Sequence, residues 1–318
     1  MNDNRLISIL IPCYNEQASI PSLYAELCKT LSTINRYDYE IMFVNDGSTD
    51  ATLNVIKDLH RQDTRVTYVS LSRNFGKENA MMAGFDNIKG DCVIILDADL
   101  QDPPTLIPDM LNYWEQGYHD VYARRSDRGK ESWLRYWLTM RFYRILSHSA
   151  PFETLPNVGD FRLLDRRCID ALRQMRERDR YTKGMYCWIG FRKKELLFDR
   201  GDRYDGESKM SLPSLFNLAL EGLTSFTTTP LRFASVLGLI IAMFAFLLLL
   251  FYLSKAILFG DIVRGFPTLV CIVLFLGGMQ LLSIGILGEY IGHIFNETKQ
   301  RPPYIIEESG EYQENHKQ

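Results

Sequence analysis

The chain has 318 residues, 46% hydrophobic and 24% charged, and 36 Lys and Arg stand against 39 Asp and Glu for a net charge of −3. That length holds one full-sized soluble domain plus an appendage, and the mixture is an ordinary globular one with no expected nucleic-acid partner. The six cysteines form no C-x-x-C pair and the five histidines no H-E-x-x-H, so neither a disulfide framework nor a zinc site is expected.

In chain order, residues 6–12, 39–45, 66–71, 92–97 and 120–123 are short apolar runs with β-branched content. Helical patterns at 20–31, 52–60, 78–87 and 105–114 separate them. This alternation predicts an α/β domain with a mainly parallel sheet. Three of the strand runs end in polar residues: Pro12-Cys13-Tyr14-Asn15-Glu16, Asn45-Asp46-Gly47-Ser48 and Asp97-Ala98-Asp99. Ligands of open α/β sheets bind at the carboxyl ends of the strands, so these groups are expected to converge on one edge.

Residues 124–209 are dense in Arg and Lys, including Arg124, Arg125, Arg128 and Lys130. Attraction to anionic headgroups and a plain solvated surface both fit this density. Residues 133–146 suit either a helix along a membrane interface or one packed on the sheet. Residues 211–231 are a second amphipathic candidate, juxtamembrane in position. Residues 233–254 and 265–288 contain no charge, and each run exceeds the ~20 residues needed to cross a bilayer core. Two transmembrane helices are therefore expected, at about 233–256 and 265–290. Residues 1–5 are polar and 6–12 too short for the apolar region of a signal peptide, so residues 1–210 are expected to be cytoplasmic. Lys209, Arg232, Lys299 and Arg301 flank the spans in keeping with that side, although Lys255 and Arg264 also occupy the loop between them. Gly278, Gly285 and Gly292 recur every seven residues and would let a second helix, from this chain or another copy, approach closely. Residues 296–318 read as a polar, acidic cytoplasmic tail, partly disordered.

Asp97-Ala98-Asp99 carries the clearest chemistry. A turn after the strand lets both carboxylates reach one ion, and Mg²⁺ or Mn²⁺ is typically held by one or two carboxylates plus substrate phosphates. Asp46-Gly47-Ser48-Thr49-Asp50 suits a turn with a helix cap, and the same edge can receive a nucleotide. Asn74-Phe75-Gly76-Lys77 precedes a helix, and Lys77 can contact a phosphate. No G-x-x-x-x-G-K-[ST] or G-x-G-x-x-G occurs, which removes the main support for ATPase and dinucleotide readings.

In order and spacing, Ile11-Pro12-Cys13-Tyr14-Asn15-Glu16, Val44-Asn45-Asp46-Gly47-Ser48-Thr49-Asp50, Arg73-Asn74-Phe75-Gly76-Lys77 and Asp97-Ala98-Asp99-Leu100-Gln101-Asp102-Pro103-Pro104 resemble the motifs of family 2 glycosyltransferases. Gly159-Asp160-Phe161-Arg162-Leu163-Leu164-Asp165-Arg166 and Gly206-Glu207-Ser208-Lys209 narrow the resemblance to the polyisoprenyl-phosphate transferases, such as bactoprenol glucosyltransferases and dolichol-phosphate mannose synthase. It implies a GT-A, Rossmann-like domain followed by two transmembrane helices in a bacterial inner membrane. Pro12, Tyr14, Glu16, Asp46 and Lys77 would then bind the nucleotide sugar. Asp97, Ala98, Asp99 and Gln101 would join them, with Asp97, Asp99 and Gln101 at the metal. Asp160 matches the catalytic aspartate, and Arg124, Arg128, Arg203 and Lys209 would receive the lipid phosphate. The implied reaction moves a sugar, with glucose and a UDP donor leading, to polyprenyl phosphate with inversion. GlcNAc, galactose and mannose stay open.

Three other readings compete. A processive polysaccharide synthase usually carries Q-x-x-R-W, which is absent here. A non-catalytic membrane scaffold that binds nucleotide leaves the acidic set without a purpose. A transporter would need ionisable groups within the spans.

Overall fold

The computed structural model describes residues 5–125, 158–178, 180–198, 229–259 and 266–311. The chain divides into two units, Met1–Ser211 with Arg301–Gln318, and Leu212–Gln300.

The first unit is built on an eight-stranded sheet. Its strands are β1 (Leu6–Cys13), β2 (Asp38–Asn45), β3 (Val66–Leu71), β4 (Cys92–Ile95), β5 (Asp120–Arg125), β6 (Val158–Asp165), β7 (Lys193–Phe198) and β8 (Ile306–Gly310), in the order β7-β5-β6-β4-β1-β2-β3-β8. The helices between them are α1 (Ile20–Leu31), α2 (Thr52–Gln62), α3 (Lys77–Asn87), α4 (Ile107–Glu115), α5 (Arg166–Gln174) and α6 (Thr182–Trp188). β1 pairs in parallel with β2 and β4, and β2 with β3, so the carboxyl ends of all four meet one edge as expected. The strands of this parallel half are apolar on both faces because helices cover both. α1 buries Ile20, Leu23, Leu27 and Leu31, spaced as one helical stripe. α3 is buried from Ala80 to Phe85, and Gly84 is required there. A Cβ on Gly84 would stand 2.2 Å from Leu10 Cδ1.

The second unit contains two long helices, α7 (Thr229–Phe259) and α8 (Phe266–Thr298). Both reach past the expected bounds. Among the described residues one stretch, Phe275–Thr298, is long and apolar enough to cross a membrane, with mean hydropathy 1.2 and none of it buried. The apolar stretch Val236–Leu248 in α7 is shorter, so a pair of spans remains an expectation. A Cβ added at Gly278, Gly285 or Gly292 would meet nothing within 4 Å.

Two readings need correction. The acidic stretch read as a partly disordered tail carries β8, which adds antiparallel to the edge of β3. The unpaired backbone groups of an edge strand supply bonds that composition does not reveal, and Lys57 Nζ lies 2.6 Å from Glu308 Oε1 to neutralise one of the acids. The fourth strand stops at Ile95, two residues earlier than read, and the chain turns at Ala98-Asp99. The helical candidates at 133–146 and 211–228, with Arg128, Arg203 and Lys209, lie outside the described residues.

Candidate active site

The loops after β1 and β2 are laced together at the carboxyl edge. Asn15, held at φ 56°, donates its N–H to Ser48 Oγ at 3.0 Å and accepts Thr49 N–H at 2.9 Å. Glu16 N–H reaches Thr52 Oγ1 at 2.8 Å, and its carboxylate accepts Ser19 Oγ at 2.5 Å. Asn is one of the few residues that tolerate this left-handed backbone, which aims the loop across the strand ends. Tyr14 in that loop is 46% exposed, and Pro12, the penultimate residue of β1, lies opposite Val44.

Asp46 follows β2 and is buried. Its two oxygens accept Phe75 N–H at 2.7 Å and Gly76 N–H at 2.9 Å, so it fixes the loop between β3 and α3. Burial pushes its carboxyl above the ordinary range, and the two amides pull it back in part. Gly47 makes this approach possible at φ 62°, since a Cβ there would stand 2.2 Å from the Arg73 carbonyl carbon.

Lys77, the first residue of α3, joins two carboxylates from different strands. Its Nζ lies 2.5 Å from Asp97 Oδ1 and 2.7 Å from Asp160 Oδ2. The register explains the meeting. β6 runs antiparallel to β4 with Ile95 opposite Arg162, so the start of β6 comes to the edge where β4 ends. Asp160 is therefore a strand residue rather than a turn residue. Burial opposes the charge on Lys77, yet the Asp160 and Asp97 carboxylates hold its ammonium protonated well above the usual lysine range. Burial also works against the Asp160 carboxylate. The Lys77 ammonium, with Lys183 and Arg162 nearby, overrides it and keeps the carboxyl below its ordinary range. The second oxygen of Asp160 is buried and accepts no hydrogen bond among the described residues.

The turn after β4 places Leu100 at φ 59°, a conformation that costs a non-glycine residue on the order of 1 kcal/mol. Gln101 N–H then donates to Asp99 Oδ1 at 3.2 Å. Asp97 remains 36% exposed and Ala98 is buried between the two acids. Among the described residues no three His, Cys, Asp or Glu form a ready-made metal cage. Two partly exposed carboxylates on one turn fit the hard divalent ions that take their remaining ligands from substrate phosphates.

Several contributors were not anticipated from the sequence. Glu78 accepts the N–H and hydroxyl of Thr182 and so caps α6, beside Lys183, and burial raises its carboxyl. Arg162 is buried with Asp120 at 3.2 Å and lies 3.7 Å over the Tyr186 ring. Arg124, by contrast, was expected at the lipid phosphate, and it is paired with Glu195 at 3.1 Å on the far side of β6 from β4.

The family model described as Glycosyl transferase family 2 matches residues 8–173, just over half of the chain. CsbB of Bacillus subtilis (strain 168), which carries a glycosyltransferase name, is 44% identical over 96% of this chain and 92% of its own length. The prophage bactoprenol glucosyl transferase homolog of Escherichia coli (strain K12) is 41% identical over 94% of this chain and 98% of its own. The SfII prophage-derived bactoprenol glucosyl transferase of Shigella flexneri is 42% identical over 95% and 98%.

Proposed function

We propose that this chain, which belongs to glycosyl transferase family 2, transfers a glucosyl group from UDP-glucose to polyprenyl phosphate, with inversion, at the cytoplasmic face of a bacterial inner membrane. The observation that carries the reading is the Lys77 bridge between Asp97 and Asp160 at the carboxyl edge of the sheet. Relatives named as bactoprenol glucosyl transferases, matched over nearly their whole length, support the sugar and the acceptor.

Pro12, Tyr14, Glu16 and Asp46 hold the nucleoside in the laced loops. Asp97 and Asp99, with Gln101, hold Mg²⁺ or Mn²⁺, which when bound neutralises charge on the leaving diphosphate. Lys77 adds a fixed positive charge beside the same group, and charge placed in advance costs no reorganisation as the bond breaks. Displacement at an anomeric carbon passes through an oxocarbenium-like state, which an ionised carboxylate nearby stabilises. The acceptor phosphate is already an anion, so Asp160 has little to deprotonate. Its free buried oxygen instead accepts a hydroxyl of the sugar and orients it. Arg124, Arg128, Arg203 and Lys209 draw the lipid phosphate, and α7 and α8 anchor the chain, with the glycine face of α8 open to another copy.

The test combines the purified full chain, a short polyprenyl phosphate and a panel of nucleotide sugars, with and without EDTA. One hexosyl unit per lipid from UDP-glucose, lost with EDTA, is expected. No lipid product from any donor would contradict the reading, and a ladder of added sugars would favour a processive synthase.

A further inference from the structure

The loop that carries Phe75, Gly76 and Lys77 is flanked by β3 on one side and α3 on the other, and one further piece of chain ties down both flanks. On the strand side, β8 pairs with β3 from Tyr68 opposite Gly310 to Leu71 opposite Ile306. Ser72 N–H extends that ladder to Ile305 O at 3.0 Å, at the residue just before Arg73. Gly310 lets β8 close over β3, because a Cβ there would stand 2.3 Å from Tyr68 Cε1. On the helix side, Tyr304 Oη donates to Asp86 Oδ2 at 2.6 Å in the last turn of α3. Asp86 also receives both terminal nitrogens of Arg176, at 2.7 and 2.9 Å.

Covering an exposed edge explains β8 by itself. It does not explain why Tyr304, before the strand begins, reaches across to the far end of α3. The helix is buried over its middle turns and moves as a rod, so a tilt at Asp86 is felt about 14 Å away at Lys77. The contacts of Lys77 at 2.5 and 2.7 Å leave little room for such a tilt. We infer that residues 304–310 are a strap that positions the loop of residues 72–77, with Tyr304 acting as a positioning residue for Lys77 through Asp86 and α3. The strap begins six residues after α8 ends at Thr298.

The kinetic part of the test rests on the transferase reading above, and hydrogen exchange does not. In the full-length protein, Tyr304→Phe should speed exchange of the Phe75 and Gly76 amides about fivefold while amides of β1 and β2 keep their rates. Its kcat/KM for the donor should fall by a similar factor, carried by kcat as well as by donor KM, because Lys77 acts on the leaving group. A chain ending at Pro303 should show both effects more strongly. Unchanged exchange at Phe75 and Gly76 in Tyr304→Phe, or equal acceleration in β1 and β2, overturns the inference. So does an unchanged kcat/KM for the donor. Absence of any transfer by the parent protein would sink the transferase reading and leave the exchange result to decide this one.

Discussion

The Lys77 ammonium favours the ionised form of the Asp160 carboxyl it touches. Asp160 is buried, so losing the ammonium would leave its carboxylate without its main support. Burial favours the neutral acid and Lys77 reverses that preference, which leaves the folded carboxyl below its ordinary range. Stabilisation from this pairing is present above the ordinary carboxylate value and is lost as pH falls through the lowered one. In Lys77→Met the burial effect stands without its main opponent. The acid limb of kcat/KM against pH should move up by about one unit or more in that variant, measured from below the ordinary carboxylate range upward. An acid limb that stays in place would show that Lys77 does not control the ionisation.

At the scale of elements, β5 and β6 owe their pairing in part to one buried ion pair. Asp120 and Arg162 are almost wholly excluded from water, and Tyr186 of α6 stacks on the guanidinium. Burial raises the Asp120 carboxyl against the pull of Arg162. Removing one partner leaves an uncompensated charge. Asp120→Asn should therefore cost about 3 kcal/mol, and Asp120→Asn with Arg162→Met should recover most of it. Denaturant unfolding of the three proteins checks this, and a double variant no more stable than the single one would contradict it. The same pair explains where the sequence became hard to read. The parallel strands were legible because helices cover both faces, so their runs are largely apolar, with Ser8, Glu40, Thr67 and Ser70 as buried exceptions. β6 and β7 were missed because Asp160 and Arg162 interrupt the one and Lys193, Lys194 and Glu195 open the other. A charge set between Phe161 and Leu163 was the available signal that a strand with a buried partner lay there. Asp97 and Asp99 were readable from their position after a strand. Asp160 was legible through family resemblance alone, because its meeting with Lys77 depends on an antiparallel register that no local pattern encodes. β8 was hidden for another reason, since an acidic edge strand draws its order from backbone bonds to β3 rather than from apolar burial.

Over the whole molecule, the relatives match both units, not the sheet domain alone, with 94–96% of the chain aligned. The sheet domain and the two long helices thus both lie within the aligned share of the chain. That arrangement suits an acceptor whose phosphate is wet and whose tail is not. On the proposed function, one acidic centre joins the sugar donor to that lipid. Asp160→Asn tests it most directly, because the side chain keeps its size and loses only its charge. In single-turnover transfer from UDP-glucose to polyprenyl phosphate in vesicles, the rate at saturating donor should fall at least about 100-fold while donor affinity changes less than about threefold. A full rate at saturating donor, with weakened donor binding alone, would contradict the account.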